Sequence, residues 1–310
     1  MVDLTTGVDV ETTVAVGVTK RPTSIGASPH ASAEPEMMSA HRTRAPRFES
    51  ANADRSTPLR PGGARGEGVT FGRQRPTAVR VVWFVGSALF FVFIHLGVSG
   101  TRLRDVLVRT LGESPFMGLF SLASLAGMVA LASTYEYAAA ETTVLWVAPV
   151  GLQHSGALIM LVALFFVVVG LTTPSPTLAQ MDGLLEREDA VKGILRITRH
   201  PFLMGTSLWA LFHMACNGDT AALVLFGSLF IVCAVGAPSI DAKRARKHGA
   251  AWTRFAERTS ILPFGAISSG RNHLALGEIA WWQWLVVLGV YAAVIVAHPW
   301  LFGVPAIPGT

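Results

Sequence analysis

Three histidines lie at positions where an imidazole could do chemistry inside an apolar chain. His200 ends the basic stretch RITRH and stands directly before Pro201 and the apolar run FLMGTSLWALFHMAC, which contains His213. His95 lies in an earlier apolar run, FFVFIHLGVSG. Ionisable residues inside membrane spans are costly and usually functional. We therefore take His95 and His213, which lie within apolar runs, as candidate site residues, while His200 stands at the entry to the second of these runs.

His95 and His213 need partners for both ring nitrogens if they are buried, and a metal is one such partner. Two histidines from two helices suit the axial positions of a haem iron better than zinc, which usually takes three or four protein ligands. A hydrogen-bonded structural role satisfies the same nitrogens, and the spacing leaves both interpretations open. The two cysteines, Cys216 and Cys233, offer no CxxC metal site and no disulfide framework.

The depth of each histidine limits how they can pair. His95 lies near the end of its apolar run, whereas His213 lies thirteen residues beyond His200, roughly 20 Å along a helix. Straight helices would therefore pair His95 with His200 more easily than with His213. A tilted or re-entrant helix would be needed to bring His213 to the same membrane depth as His95.

The composition indicates a membrane protein that positions these histidines on helices. The 310 residues are 51% hydrophobic and only 15% charged, against about 25% charged for a soluble domain. Apolar runs of the length that spans a bilayer occur at 79–99, 116–134, 153–172, 201–217, 219–237 and 279–298. We predict an all-α bundle of about six transmembrane helices.

The basic residues orient this bundle. All fourteen Lys and Arg residues after position 80 fall in the first, third and fifth connections between the runs. The positive-inside rule therefore places these connections on the cytoplasmic side. The net charge of +5 is explained in this way, and no nucleic-acid partner is expected. Membrane lipid is the expected surrounding.

The chain divides into three parts by composition. Residues 1–78 are polar and lack any hydrophobic period, which is typical of a disordered tail, or of sequence upstream of a later start at Met37 or Met38. The transmembrane domain is predicted over 79–300, and 301–310 form a short tail. In the fifth connection, Trp252 and Phe255 beside a run of basic residues predict an amphipathic helix on the membrane surface.

Several segments together resemble the NnrU domain family, which includes the 15-cis-zeta-carotene isomerases. They are HLGVSGTRLRD, GILRITRHPFLMGTSLWALFHMACNGD, ARKHGAAWTRFAERTSILPFGAI and AHPWLFG, in this order between about residues 80 and 300.

The resemblance implies an integral membrane protein with haem b held by His95 and His213, and a catalytic role for His200. It implies a lipid-soluble substrate, whose central cis double bond is rotated, with the electronic work done by the cofactor. One departure is Ala210, since the isomerases carry a cysteine there. NnrU proteins proper are associated with nitrite and nitric oxide reduction. The absence of a convincing plastid leader favours a bacterial inner membrane over a plastid membrane.

Two other functions fit the same residues. A non-enzymatic membrane haem protein, associated with nitrite or nitric oxide reduction, would use the same two ligands. The RHP segment and the later basic segment also resemble S-adenosylmethionine-dependent methyltransferases of the isoprenylcysteine and phospholipid type, in which His200 and the arginines would hold the cofactor's carboxylate.

Overall fold

A computed structural model describes residues 77–308. The tail predicted for residues 1–78 lies outside this range except for its last two residues. Within the described range every regular element is a helix, apart from a single isolated bridge between Val144 and Asp219. The prediction of an all-α fold is therefore confirmed.

The first half of the described chain holds three of the spans. Its helices are α1 (Thr77–Val92), which continues into a π-helix (Phe93–Val98), α2 (Arg102–Leu111), α3 (Glu113–Ala140) and α4 (Val150–Thr172).

The second half begins with two 3₁₀ turns, Asp182–Glu186 and Glu188–Ala190. The helices that follow are α5 (Ile194–Ile197), α6 (Pro201–Cys216), α7 (Thr220–His248), α8 (Ala250–Glu257), α9 (Gly265–Ser268) and α10 (Trp281–Phe302), with a 3₁₀ turn at Leu276–Glu278 before the last.

Five helices are long and apolar enough to cross a membrane: α1 with its π-helical extension, α3, α4, α7 and α10. The fourth predicted span corresponds to α6, which has only 16 residues, or about 24 Å of helix. This polytopic arrangement makes the chain an integral membrane protein.

The connections gather at two opposite ends of the bundle. At the end that we call the basic end, Lys243 of α7 donates to the carbonyl of Ser99, and Arg244 pairs with Asp182, so the first, third and fifth connections meet. At the far end, Trp146 Nε1 donates to the carbonyl of Ala215 at 3.0 Å. Helix α6 therefore runs from the basic end to the far end.

Close packing of α6 against α4 depends on glycine. A Cβ added at Gly205 of α6 would lie 2.6 Å from the carbonyl oxygen of Ala163 and 2.8 Å from Val167 in α4. No larger residue fits this contact without displacing backbone. On its other side α6 packs against α7, where Ala210 and Ala222 are fully buried. Helix α6 is thus held firmly between two longer helices.

The predicted amphipathic helix of the fifth connection exists as α8, but its apolar face packs against protein. Trp252 and Phe255 are buried on Leu185 and Val191 of the third connection. The expected contact of this face with the membrane surface is therefore wrong. The sequence pattern identified an apolar face correctly, but a pattern alone does not distinguish a lipid partner from a protein partner.

Candidate functional site

His200 stands at the first turn of α6, at the basic end of the bundle. It precedes Pro201, whose fixed φ suits the first helical position, and its own backbone lies outside the helical region. The side chain is buried, with 3% exposure. Its Nε2 lies 2.7 Å from Oδ1 of Asp241, which belongs to α7. The site is thus built where the start of one membrane helix meets the end of the next.

The carboxylate of Asp241 determines which ring nitrogen of His200 carries a proton. Arg199 Nε donates to Oδ2 of Asp241 at 2.8 Å, and a second guanidinium nitrogen contacts the same oxygen. An ionised carboxylate only accepts hydrogen bonds, so the Nε2 of His200 carries a proton and donates it. The Nδ1 of His200 has no hydrogen-bond partner within residues 77–308.

A cavity of about 90 Å³ adjoins this imidazole. Its lining residues are Gly170, Ser175, Thr177, Leu178, His200, Pro201, Phe202, Leu203 and Ile240. A carboxylate on one ring nitrogen and an open second nitrogen are the arrangement of a general acid or base. The volume is far below the 300–1,000 Å³ typical of sites that enclose a drug-sized ligand. This cavity therefore accommodates water or a small group and cannot enclose a carotene.

The two most specific sequence segments meet beside this site. The backbone N–H of Arg199 donates to the carbonyl of Ser260, the Thr198 hydroxyl donates to that of Ile261, and the N–H of Phe264 donates to that of Ile197. The RITRHP and RTSILPF segments are therefore held together by main-chain contacts.

A second charged cluster lies next to the first. Arg196 forms a two-point ion pair with Glu278, at 2.8 Å and 2.7 Å, and the N–H of Gly193 donates to the same carboxylate at 2.6 Å. The hydrogen bond from Arg196 is the main reason that the pKa of Glu278 falls to about 2. Arg196 thus anchors the third connection to the start of α10.

His95 lies in the π-helix, a type of segment that is frequent at functional sites. Its Nδ1 lies 2.8 Å from the carbonyl of Phe91, and its Nε2 lies 3.1 Å from the Ser124 hydroxyl of α3. Because a carbonyl only accepts, Nδ1 donates and Nε2 accepts from the serine. Both ring nitrogens of His95 are therefore satisfied by protein.

His213 lies near the other end of α6. Its Nδ1 lies 2.8 Å from the carbonyl of Trp209, and its ring packs on Trp209 and on Phe226 of α7. Its Nε2 has no hydrogen-bond partner among the residues that the structure describes. A ligating histidine commonly donates its second ring N–H to a carbonyl or a carboxylate, so His213 has the form of a ligand, as His200 does, whereas His95 does not.

The structure does not bring His95 and His213 together. The turn after the π-helix contacts Ser239 of α7, whereas His213 contacts Phe226, thirteen residues or about 20 Å earlier on the same helix. Because both ring nitrogens of His95 are bonded to protein, this histidine has no free nitrogen for an iron in this arrangement. Ligation of haem b by this pair stays a prediction, and we derive no step through it. Residues 77–308 also hold no group of three or more metal-ligating side chains.

His95 is also separate from His200. Ser239 and Lys243 face the end of the π-helix, whereas Asp241 faces His200. Two residues along a helix correspond to a rotation of about 200°, so α7 stands between the two histidines. Each of the three predicted site residues has a separate environment.

Asp241 is the functional residue that the sequence analysis did not single out. It is the only acidic side chain in α7, and it is followed directly by the basic run AKRARKH. A single carboxylate at the junction of an apolar segment and a basic segment was the available signal. Its partner lies 41 residues away, which no local pattern reveals.

The fold and this site define a polytopic all-α membrane protein with a carboxylate–histidine pair at its basic end. The chain belongs to the NnrU protein family, whose model matches residues 83–306. This match covers His95, His200, His213 and Asp241, and it confirms the resemblance seen in the sequence.

Two curated relatives are 15-cis-zeta-carotene isomerases described as chloroplastic. The protein of Arabidopsis thaliana is 28% identical over 69% of this chain and 59% of its own length. The protein of Zea mays is 37% identical over 26% of this chain and 22% of its own length. The chain thus spans less than two thirds of the relatives that it matches. No solved structure matches this chain.

Proposed function

We propose that this protein is a membrane isomerase that converts a cis double bond of a poly-cis carotene, or of a closely related apolar polyene, to trans. The observation that carries this proposal is the similarity to the 15-cis-zeta-carotene isomerase of Arabidopsis thaliana over 69% of the chain. Membership of the NnrU family agrees with it at a coarser level. A bacterial inner membrane is the proposed location.

The apolar surface of the bundle suits such a substrate. Helices α3 and α10 expose large apolar side chains along their length, among them Leu122, Leu125, Leu285, Leu288 and Val294. A carotene dissolved in the bilayer reaches this surface laterally and without crossing water. Because the cavity beside His200 is too small to enclose it, the polyene is proposed to lie along the lipid-facing helices with only a part of it near His200.

We assign the catalytic role to His200. Asp241 holds the imidazole in one orientation by accepting its Nε2–H, while Nδ1 has no partner within residues 77–308 and His200 lines the cavity. A proton carried on Nδ1 can add to the polyene and give a cation that rotates about the former double bond, and the same proton returns to Nδ1 after rotation. Close packing of α6 between α4 and α7 keeps this histidine at a fixed depth. Both ring nitrogens of His95 are bonded to protein, so the catalytic role is assigned to His200 with Asp241 and not to a haem held by His95 and His213.

The experiment that tests the proposal uses host cells that accumulate 15-cis-zeta-carotene and are grown in the dark, because light isomerises polyenes without an enzyme. The full chain is expressed in these cells, and carotenes are separated by chromatography with absorption detection. We expect the 15-cis isomer to decrease and the isomer with a trans central bond to appear. Unchanged isomer ratios, with the protein present in the membrane fraction, would contradict the proposal.

The methyltransferase alternative is disfavoured by the ion pairs of the site. In that alternative, His200 and nearby arginines bind the carboxylate of the cofactor. Here Asp241 already pairs with Arg199 and contacts His200. Glu278 forms an ion pair with Arg196. The groups that would hold the cofactor are therefore occupied by the protein's own carboxylates. A non-enzymatic haem protein has no specific observation in its favour.

A further inference from the structure

We propose that α2 lies in the headgroup layer at the basic end of the bundle and binds anionic phospholipids. Helix α2 follows the end of the first span by four residues and precedes α3, the next span, by two. Both of its ends are thus tethered at the membrane surface. A ten-residue helix with these tethers cannot leave the interface.

One side of α2 is an apolar arc without a protein partner. At 100° per residue, Val106, Leu103, Leu107 and Leu111 fall within about 140° of each other around the helix axis. Leu103, Val106 and Leu111 are 42%, 47% and 43% exposed, and no residue of α2 is buried. An apolar arc of this kind on a short surface helix is the pattern of an interfacial helix.

Two cations border this arc and have no protein partner. Arg102 and Arg109 are exposed, and neither guanidinium group forms an ion pair or a hydrogen bond with any residue from 77 to 308. They lie on the same flank of the helix, close to the edge of the apolar arc. Arginine side chains at the depth of the lipid headgroups bury their aliphatic stems in the interface and place the guanidinium groups at lipid phosphates.

Arg104, the remaining arginine of α2, fixes the orientation of α2 about its own axis. Arg104 lies on the opposite flank, pairs with Glu113 at 3.1 Å and stacks over the ring of Phe116. With Arg104 held to α3 in this way, Leu103 and Val106 lie about 100° and 160° from it around the helix axis, and Asp105 lies on the side of the helix opposite to the apolar arc. Charge complementarity therefore favours anionic lipid as the occupant of the exposed face.

A second copy of the chain is a weaker candidate for this face. A stable protein interface buries about 800 Å² on each partner, which is more than one face of a ten-residue helix offers. An anionic bilayer needs no such area, because each arginine near its surface is attracted separately by the negative surface potential.

The test places a nitroxide label at position 105 or 106 of the full chain in lipid nanodiscs. The background carries Cys216→Ala and Cys233→Ala, because these are the only native cysteines. The two label sites are Asp105→Cys and Val106→Cys. Accessibility to oxygen, which partitions into lipid, is compared with accessibility to a water-soluble nickel chelate.

We expect the label at position 106 to be protected from the nickel chelate and the label at 105 to be fully accessible to it. Adding phosphatidylglycerol to phosphatidylcholine discs should increase the depth of the label at 106, and Arg102→Gln with Arg109→Gln should remove this dependence. Equal nickel accessibility at 105 and 106 would overturn the proposal. Protection that is the same in both lipids, or dipolar coupling between labels of two copies, would also overturn it.

Discussion

The Nε2 atom of His200 lies 2.7 Å from Oδ1 of Asp241 and joins the start of α6 to the basic end of α7. This contact gives the imidazole one protonated nitrogen and one open nitrogen beside a cavity. It also makes a structural joint, because Arg199 pairs with the same carboxylate. Changes at Asp241 are therefore expected to affect both stability and activity.

The first prediction concerns the stability of this joint. Asp241→Ala should lower the free energy of unfolding by about 3–5 kcal/mol, because it leaves the mostly buried Arg199 unpaired. The double variant Asp241→Leu with Arg199→Met should be less destabilised than the single variant. Thermal unfolding in detergent, followed by tryptophan fluorescence, measures both. Equal stability of Asp241→Ala and the wild type would contradict a joint at this position.

Acid sensitivity is the second prediction, and it follows from Glu278. A pKa lowered from 4.5 to about 2 means that Glu278 stabilises the folded state above pH 4.5 and loses this contribution as the pH falls towards 2. Glu278→Gln should therefore be less stable than the wild type near neutral pH, with the difference shrinking below pH 4.5. Unfolding temperatures across this range test the sign. Glu141→Gln is the control, since Glu141 has no ion pair in the described range. A Glu278→Gln deficit that grows in acid would refute the assignment.

Helix packing gives the third prediction. Gly205→Ala places a methyl group 2.6 Å from the backbone oxygen of Ala163 and should destabilise the protein by about 1–3 kcal/mol through overpacking. Gly236→Ala is a matched control in α7, because nothing lies within 4 Å of the added carbon. Its effect should be neutral or slightly stabilising, since alanine favours helices over glycine. Comparable losses for the two variants would show that α4 and α6 are not in close contact.

Haem binding gives the fourth prediction. One haem held by both His95 and His213 requires that His95→Ala and His213→Ala each abolish or shift the same Soret band. The arrangement described here, in which both ring nitrogens of His95 are bonded to protein, predicts that no such band depends on both residues. Absorption spectra of the oxidised and dithionite-reduced protein from haem-replete cells decide the matter. A band lost in both variants would show that the histidines come together in a different arrangement.

Much of the fold was predictable from the sequence because apolar runs of span length are a strong signal. The run at 79–99 was found as α1 and the π-helix, ending at Val98, and the run at 153–172 was found as α4. The length of the helix predicted from the fifth run was underestimated. Helix α7 continues to His248, eleven residues beyond the predicted 237, because AKRARKH favours a helix although it is not apolar.

The site was predictable only in part. His200 was singled out because a basic stretch that ends in a histidine stands before an apolar run and because the family resemblance gives this histidine a role, whereas its partner Asp241 was not, since pairing between distant residues leaves no local pattern. Counting residues along straight helices favoured a pairing of His95 with His200, which the structure does not show, because α7 packs between them. The face of α2 was missed, and that of α8 was assigned to the wrong partner. Only tertiary packing decides which apolar faces meet protein.

The most direct test of the central claim is the isomerisation rate of the purified protein in liposomes that contain 15-cis-zeta-carotene, kept in the dark. We predict conversion by the wild type and by the exposed-histidine control His273→Ala. The rates of His200→Ala and Asp241→Asn should fall by about 10²-fold or more, the scale of a lost acid or base group, in samples that remain folded. Wild-type rates in both site variants, or no conversion by any protein, would contradict the account.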